Sequence, residues 1–391
     1  MSVRILRLAA ALLAVSLCGS SASAAAATPY TIEVITSLTG PAAFVGTGVQ
    51  RTLRILQSVV NDGGGIHGRP VAFNFSDDQS SPQQAVQITN QLLGRGVPVI
   101  VGPSVAATCG AVVPVVGSRA VAYCLSPALH PEAGSFLYSA GMSTNDILAA
   151  AMRYFRLRGL HRIALITSTD ASGIDAEHAF DYAASLPENR RIVRVANEHF
   201  AVSDMSVSAQ AARMKQAAPE VVFAWTTGPA FSTILRGVND AGLDVPVATS
   251  TGNMSIEQMS QLPGGQRNDI YAVGFRYFDR ANIGSGPLKS TVDKLYQAYD
   301  RAHLKPDVQP GLVWDAATLV VAALRDAGSN PSAQQVKSFI DKQRSYVGID
   351  GLYNYPGVPQ RGLNDLAGVV CRWNATSRSW EVRSRPGGTP R

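Results

Sequence analysis

The chain has 391 residues, 46% of them apolar and 16% charged, a balance that suits two globular domains with full hydrophobic cores and excludes a disordered chain. Its 34 basic and 28 acidic residues leave a formal charge of +6 with no basic stripe and no interleaved aromatics, which excludes a nucleic-acid partner. No CxxC occurs and the six histidines do not cluster at zinc spacing, so neither a metal nor a cofactor is expected.

The first residues read as an export signal. Arg4 and Arg7 form a basic start, residues 8–18 are apolar but too few to span a bilayer, and Ala22-Ser23-Ala24 is a small-residue cleavage site. A signal peptide over 1–24 and a soluble periplasmic protein beginning at Ala25, with a net charge of about +4, are expected. Cys18 would suit lipid attachment, but Leu17 precedes it where a lipoprotein carries a small residue.

Beyond the signal, strands and helices alternate. Residues 31–37 form a strand; 46–61 a helix with Val49, Leu53, Leu56 and Val60 on one face, stopped at Gly63-Gly64-Gly65; 71–75 a strand. A helix over 82–93 opens with Ser81 as N-cap and Pro82 as its first residue, then come a strand at 97–101, a helix from about 105 and a strand at 120–124. A second series has helices at 146–158, 175–185, 206–216 and 230–241 between strands at 162–167, 192–198, 221–225 and 245–249. Two amphipathic helices, 288–302 and 312–327, and strands near 369–373 and 380–382 end the chain. This order means an α/β protein of two doubly wound parallel-sheet lobes, with no low-complexity linker between them.

Ligands of open α/β sheets sit beyond the carboxyl ends of the strands. The loop 37–46 ends in Gly46-x-Gly48 but lacks a third glycine and is too long for a dinucleotide turn. In Gly102-Pro103-Ser104-Val105-Ala106 small residues lead into a helix whose first N–H groups favour a carboxylate, and Ser126-Pro127-Ala128-Leu129-His130 leaves the next strand beside it. Both are also ordinary connections. Cys109 and Cys124 lie just past neighbouring strands and are the expected disulfide, two buried thiols being the alternative; Cys371 is far away in sequence.

Five marks in order, Ser37-Leu38-Thr39-Gly40-Pro41, Asn61-Asp62-Gly63-Gly64-Gly65-Ile66-His67-Gly68, Asp77-Asp78 with Pro82 and Ala85, Gly102-Pro103-Ser104 and Ser126-Pro127-Ala128, resemble the periplasmic leucine/isoleucine/valine-binding family, the type I receptors of ATP-driven importers. The resemblance implies a non-enzymatic, monomeric receptor for an inner-membrane ABC permease, closing two lobes over one small molecule. It assigns 25–142 and 276–345 to the N-terminal lobe and 143–275 and 346–391 to the C-terminal lobe, joined by three crossings. It also carries carboxylate binding onto Ser104, Val105, Ala106, Ser126, Pro127 and Ala128 from the first lobe, with Ser172, Thr226 and Asn253 as candidates from the second.

The sequence departs from amino-acid receptors at Thr249-Ser250-Thr251-Gly252-Asn253, which has no acid to meet a ligand ammonium, and at Asp170-Ala171-Ser172-Gly173, where an aromatic is missing and room for a broader ligand is expected. A buried ammonium without a partner is costly. A carboxylate ligand without an α-amino group, aromatic acids included, is therefore expected, with Phe44, Trp225, Tyr277 or Phe278 as stacking rings and core packing as their alternative role. A hydrolase on a two-lobe scaffold lacks a G-x-S-x-G elbow, and a sensory ligand domain is the other competing class.

Overall fold

The structure, a computed structural model, describes residues 28–262 and 267–391. The expected signal peptide and Cys18 lie outside the described residues. The first series runs β1 (Tyr30–Thr36), α1 (Ala43–Asp62), β2 (Val71–Asp77), α2 (Pro82–Gly94), β3 (Val99–Val101), α3 (Ala106–Val116), β4 (Val121–Cys124) and β5 (Leu137–Ser139). The second runs α4 (Thr144–Leu157), β6 (Arg162–Ser168), α5 (Ala171–Ser185), β7 (Val193–Phe200), α6 (Ser208–Gln216), β8 (Val221–Trp225), α7 (Ala230–Asp240), β9 (Val247–Thr249), α8 (Ile256–Ser260) and β10 (Ile270–Phe275). Then follow α9 (Pro287–Arg301), α10 (Gln309–Asp326), α11 (Ala333–Asp341), a hairpin of β11 (Tyr346–Val347) and β12 (Leu352–Tyr353), β13 (Gly368–Asn374) and β14 (Ser379–Val382).

The strands form two separate sheets. The first has the order β2-β1-β3-β4-β5, all parallel. In the second, β7-β6-β8-β9-β10 repeats that order in parallel, and β13 and β14 extend it antiparallel. Each sheet thus reverses its winding at one point, between β1 and β3 in the first and between β6 and β8 in the second, and there the loops splay apart to leave a crevice.

The same local contact builds both lobes. A Cβ placed on Gly46 in α1 would stand 2.0 Å from the carbonyl oxygen of Ser37, and one on Gly173 in α5 would stand 1.8 Å from that of Ser168. Only glycine lets each helix start so close to the end of the preceding strand. The buried face of α1 (Val49, Leu53, Leu56, Val60) then packs against the nearly all-round buried α10, which also touches β3. Ser81 caps α2, accepting from the Gln84 N–H at 3.4 Å, and a Ser143–Asp146 capping box opens α4.

The chain crosses between lobes near 140–143, near 276–286 and again near 364. The third crossing corrects the sequence reading, which placed it at 345. Residues 346–363 pack on the first lobe: Asp315 of α10 accepts the N–H groups of Ile349 and Asp350 at 2.8 and 3.0 Å and the Tyr353 hydroxyl at 3.0 Å. The Tyr355 hydroxyl bonds that of Tyr123, and the Ser139 N–H donates to the Gln360 carbonyl at 2.9 Å.

Candidate functional site

The first-lobe wall is assembled from the ends of β1 to β4. Asp77 and Asp78, closing β2, hold the loop after β1: Asp77 accepts from the Leu38 N–H at 2.8 Å and the Thr39 hydroxyl at 2.6 Å, and buried Asp78 accepts from the Ser37 hydroxyl at 2.6 Å. Burial pushes the Asp78 carboxyl up, against the hydrogen bond from Ser37. The Ser37 N–H donates in turn to the Ser104 hydroxyl at 3.3 Å, so the loops after β1 and β3 form one surface.

At that surface α3 begins without a side-chain cap. Val105, at its N-cap, is extended, and no side chain accepts from the first N–H groups of this 11-residue helix. Those donors and the helix dipole make the place suited to an anion. Ser104 and Ser126 border it, 3% and 6% exposed. A disulfide ties the two loops: Cys109 in the first turns of α3 is bonded to Cys124 at the end of β4, with Cα atoms 5.9 Å apart. Cys371 is free and buried.

Arg361 fixes the loop after β4 from behind. Its guanidinium is buried and donates to the carbonyls of Pro127 (3.2 Å), Ala140 (3.4 Å) and Gly141 (3.3 Å), and to that of Leu129. Burial pulls its pKa down to about 10, which leaves it cationic at neutral pH. One side chain thus joins the candidate loop to the first crossing. Local sequence carries no signal for it, because its partners lie 220 to 234 residues away.

Across the crevice stand the ends of β6, β8 and β9. Thr226, just past β8, is wholly buried and its hydroxyl has no partner. Phe44 from the first lobe lies over Gly228: a Cβ there would meet the ring at 2.9 Å. His130 Nε2 lies 2.7 Å from Asp175 Oδ1 on α5, bridging the lobes a second time. The two walls are therefore in contact at two points. No group of three His, Cys, Asp or Glu side chains is placed to hold a metal ion among the described residues.

Two lobes with the same strand order, crossed three times and meeting at their switch points, are matched by the periplasmic binding protein family model over residues 29–365. The chain belongs to that family. Within it, this periplasmic binding protein is similar to a Leu/Ile/Val-binding protein homolog 3 of Brucella melitensis (28% identity over 60% of this chain and 64% of the relative) and to the Leu/Ile/Val-binding protein BraC3 of Rhizobium johnstonii (26% over 58% and 62%). The aligned part thus spans under two thirds of those relatives. An extracellular ligand-binding receptor from Rhodopseudomonas palustris HaA2 shares the fold with a TM-score of 0.78 at 18% identity, covering 91% of this chain and 99% of that one. The isoleucine complex of LivJ from Streptococcus pneumoniae does so with 0.73 at 17%, covering 91% and 99%. The family is one of solute-binding receptors and not of enzymes. No described helix is long and apolar enough to cross a membrane.

Of the residues singled out in this binding protein, Phe44, Ser104, Val105, Ala106, Ser126, Pro127 and Ala128 lie on the first wall and Thr226 on the second. Asn253 does not offer its amide to the crevice. It donates to the Thr226 carbonyl and Thr249 hydroxyl and accepts from the Gly228 N–H and from Gln258, so it braces the loops after β8 and β9. Tyr277 takes the alternative role of core packing: its ring is buried between Phe275 and Phe278 and its hydroxyl donates to the Asp307 carbonyl. Nor is Asp170–Gly173 an open loop with room to spare. Asp170 is the N-cap of α5, accepting from the N–H groups of Ser172 and Gly173 at 3.1 Å each, and the Ser172 hydroxyl donates to it at 2.9 Å.

Proposed function

We propose that this protein is the periplasmic receptor of an ATP-driven importer and that it closes by hinge motion over a small carboxylate without an α-amino group, aromatic acids included. The reading rests on one asymmetry between the walls. The first offers the uncapped N-terminus of α3 with the hydroxyls of Ser104 and Ser126. The second offers the unpartnered Thr226 hydroxyl, and its loops after β8 and β9, 226–228 and 250–255, carry no acid; Asp170 caps α5 through Oδ1, and Asp175 Oδ1 meets His130. An anion is thus provided for, and an ammonium would meet no acid from those two loops. Phe44, whose ring meets Gly228 across the crevice, is the candidate stacking ring and supports including aromatic acids.

Ligands differ among proteins of this fold, with isoleucine in the LivJ complex and a receptor from Thermomonospora curvata described as serving fatty acid transport, so the loops and not the fold decide the ligand. A thermal-shift screen of benzoates, short mono- and dicarboxylates and the branched-chain amino acids tests this, since a ligand binding only the folded state raises Tm with its affinity. Tight binding of a carboxylate lacking the ammonium is expected. Micromolar calorimetric binding of leucine, isoleucine or valine, with no response to organic acids, would overturn the ligand class.

A further inference from the structure

Asp175 is a mostly buried second-lobe carboxylate that meets the first lobe through His130. Its side chain is 13% exposed, Oδ1 lies 2.7 Å from His130 Nε2, and Oδ2 is buried without a partner. His130, the tip of the first-lobe loop that Arg361 holds, is 43% exposed and so open to protons from solvent. With the lobes apart, both oxygens of Asp175 would face water. With them together, an ionised carboxylate loses that water and keeps one bond, a state that a cation at its partner stabilises.

We propose that His130 and Asp175 form a proton-dependent latch across the crevice, in which protonation of His130 favours the closed arrangement of the lobes. The surrounding charges fit this assignment. Arg361 lies near Asp175 electrostatically, but its Nη1 and Nη2 groups donate to backbone carbonyls of the first lobe and it makes no hydrogen bond to the carboxylate. Asp146 on α4 faces Arg361, and burial raises its carboxyl. Glu177, the nearest other acid on α5, accepts from the Thr167 hydroxyl and from His199; His178, on the same helix, and Glu132, two residues past His130, are exposed. The imidazole is thus the group of the pair that can take up a proton to gain a positive charge, histidine being the side chain that ordinarily does so in mildly acidic water. The latch rests on hinge closure and not on the ligand class.

Small-angle scattering of the purified, dialysed, ligand-free protein reads it directly. The radius of gyration of the wild type should fall on going from about pH 8 to about pH 5, the range in which a histidine gains its charge. His130→Gln and Asp175→Asn should abolish that change, and His130→Lys, a cation at both pH values, should give the compact form throughout. Equal scattering of the wild type at both pH values, or an undiminished response in His130→Gln, overturns the latch. Gly228→Asn separates this from failure of the hinge itself. It tolerates the left-handed backbone at that position (φ 84°) and wedges the Phe44 contact apart, so it should scatter as the open form at both pH values. If it matches the most compact wild type instead, hinge closure fails and the latch with it.

Discussion

Asp315 and Asp350 share one buried place in the first lobe: Asp315 accepts the backbone N–H of Asp350 at 3.0 Å, while both carboxyl oxygens of Asp350 are buried without any partner. Burial, with the negative charge of Asp315 beside it, pushes the Asp350 carboxyl well up, so Asp350 is the member that keeps its proton. A folded-state pKa above the unfolded one makes a contribution to stability that is complete below the unfolded carboxyl range and is lost as pH rises through the folded value. The wild type should therefore lose Tm on going from about pH 4 toward neutral and alkaline pH. Asp350→Asn keeps the shape without the titration and should flatten this slope, gaining about 1–3 kcal/mol at about pH 8. Thermal unfolding against pH checks this; parallel slopes for wild type and variant would place the proton elsewhere.

The glycines separate close packing from mere flexibility. Gly46→Ala and Gly173→Ala drive a Cβ into a backbone carbonyl at 2.0 and 1.8 Å, and each should cost about 3 kcal/mol or more, since backbone and not a mobile side chain must give way. Gly110, inside α3, would meet nothing within 4 Å. Gly110→Ala should stabilise by about 0.5–1 kcal/mol, through helix propensity alone. Urea midpoints for the three variants decide between these signs.

These contrasts show which parts of the molecule can be read from its sequence. The strand–helix alternation from β1 to β4 and from α4 to β9 was legible because most of its helices have a one-sided apolar face and its strands are short and bounded by turn residues. β5 and β10 escaped: Leu137–Ser139 is three residues long with no helix between it and β4, and Ile270–Phe275 follows α8, a five-residue helix too short to show a period. Asp170-Ala171-Ser172-Gly173 read as a loop although Asp170 is a good N-cap, since its small polar residues suit a turn equally well. Arg361, the Asp175–His130 pair and the placement of 346–363 on the first lobe rest on contacts between distant segments, which periodicity cannot express. The loops of the first wall can be picked out as strand ends; on the second, Ser172 and Asn253 bond within their own lobe through contacts the sequence does not show.

Ser104 and Ser126 bear on the proposed anion site. Ser104→Ala removes a hydroxyl beside the α3 N-terminus and also the acceptor of the Ser37 N–H, so it should weaken carboxylate binding by about 1.5–3 kcal/mol. Ser172→Ala, whose hydroxyl is engaged with Asp170, should change affinity by less than about 0.5 kcal/mol. Calorimetry with the tightest carboxylate from the screen reads both, and equal losses would move the anion elsewhere.

The Cys109–Cys124 bond should matter to affinity as well as to stability. It closes a segment with a sequence separation of 15, for which chain entropy assigns about 3 kcal/mol of stabilisation. It also joins the start of α3 to the end of β4, and thereby sets the helix N-terminus against the Ser126 loop. Reduction should lower the unfolding free energy by about 3 kcal/mol. It should also weaken carboxylate binding, because two loops that were held together must then be ordered by the ligand. Cys109→Ala with Cys124→Ala should reproduce both losses and become insensitive to reductant. Intact mass with and without reductant, after alkylation, establishes the bond itself. A reduced protein that binds as tightly as the oxidised one, while losing stability, would confine the disulfide to holding the fold and leave the α3 N-terminus positioned by the sheet alone.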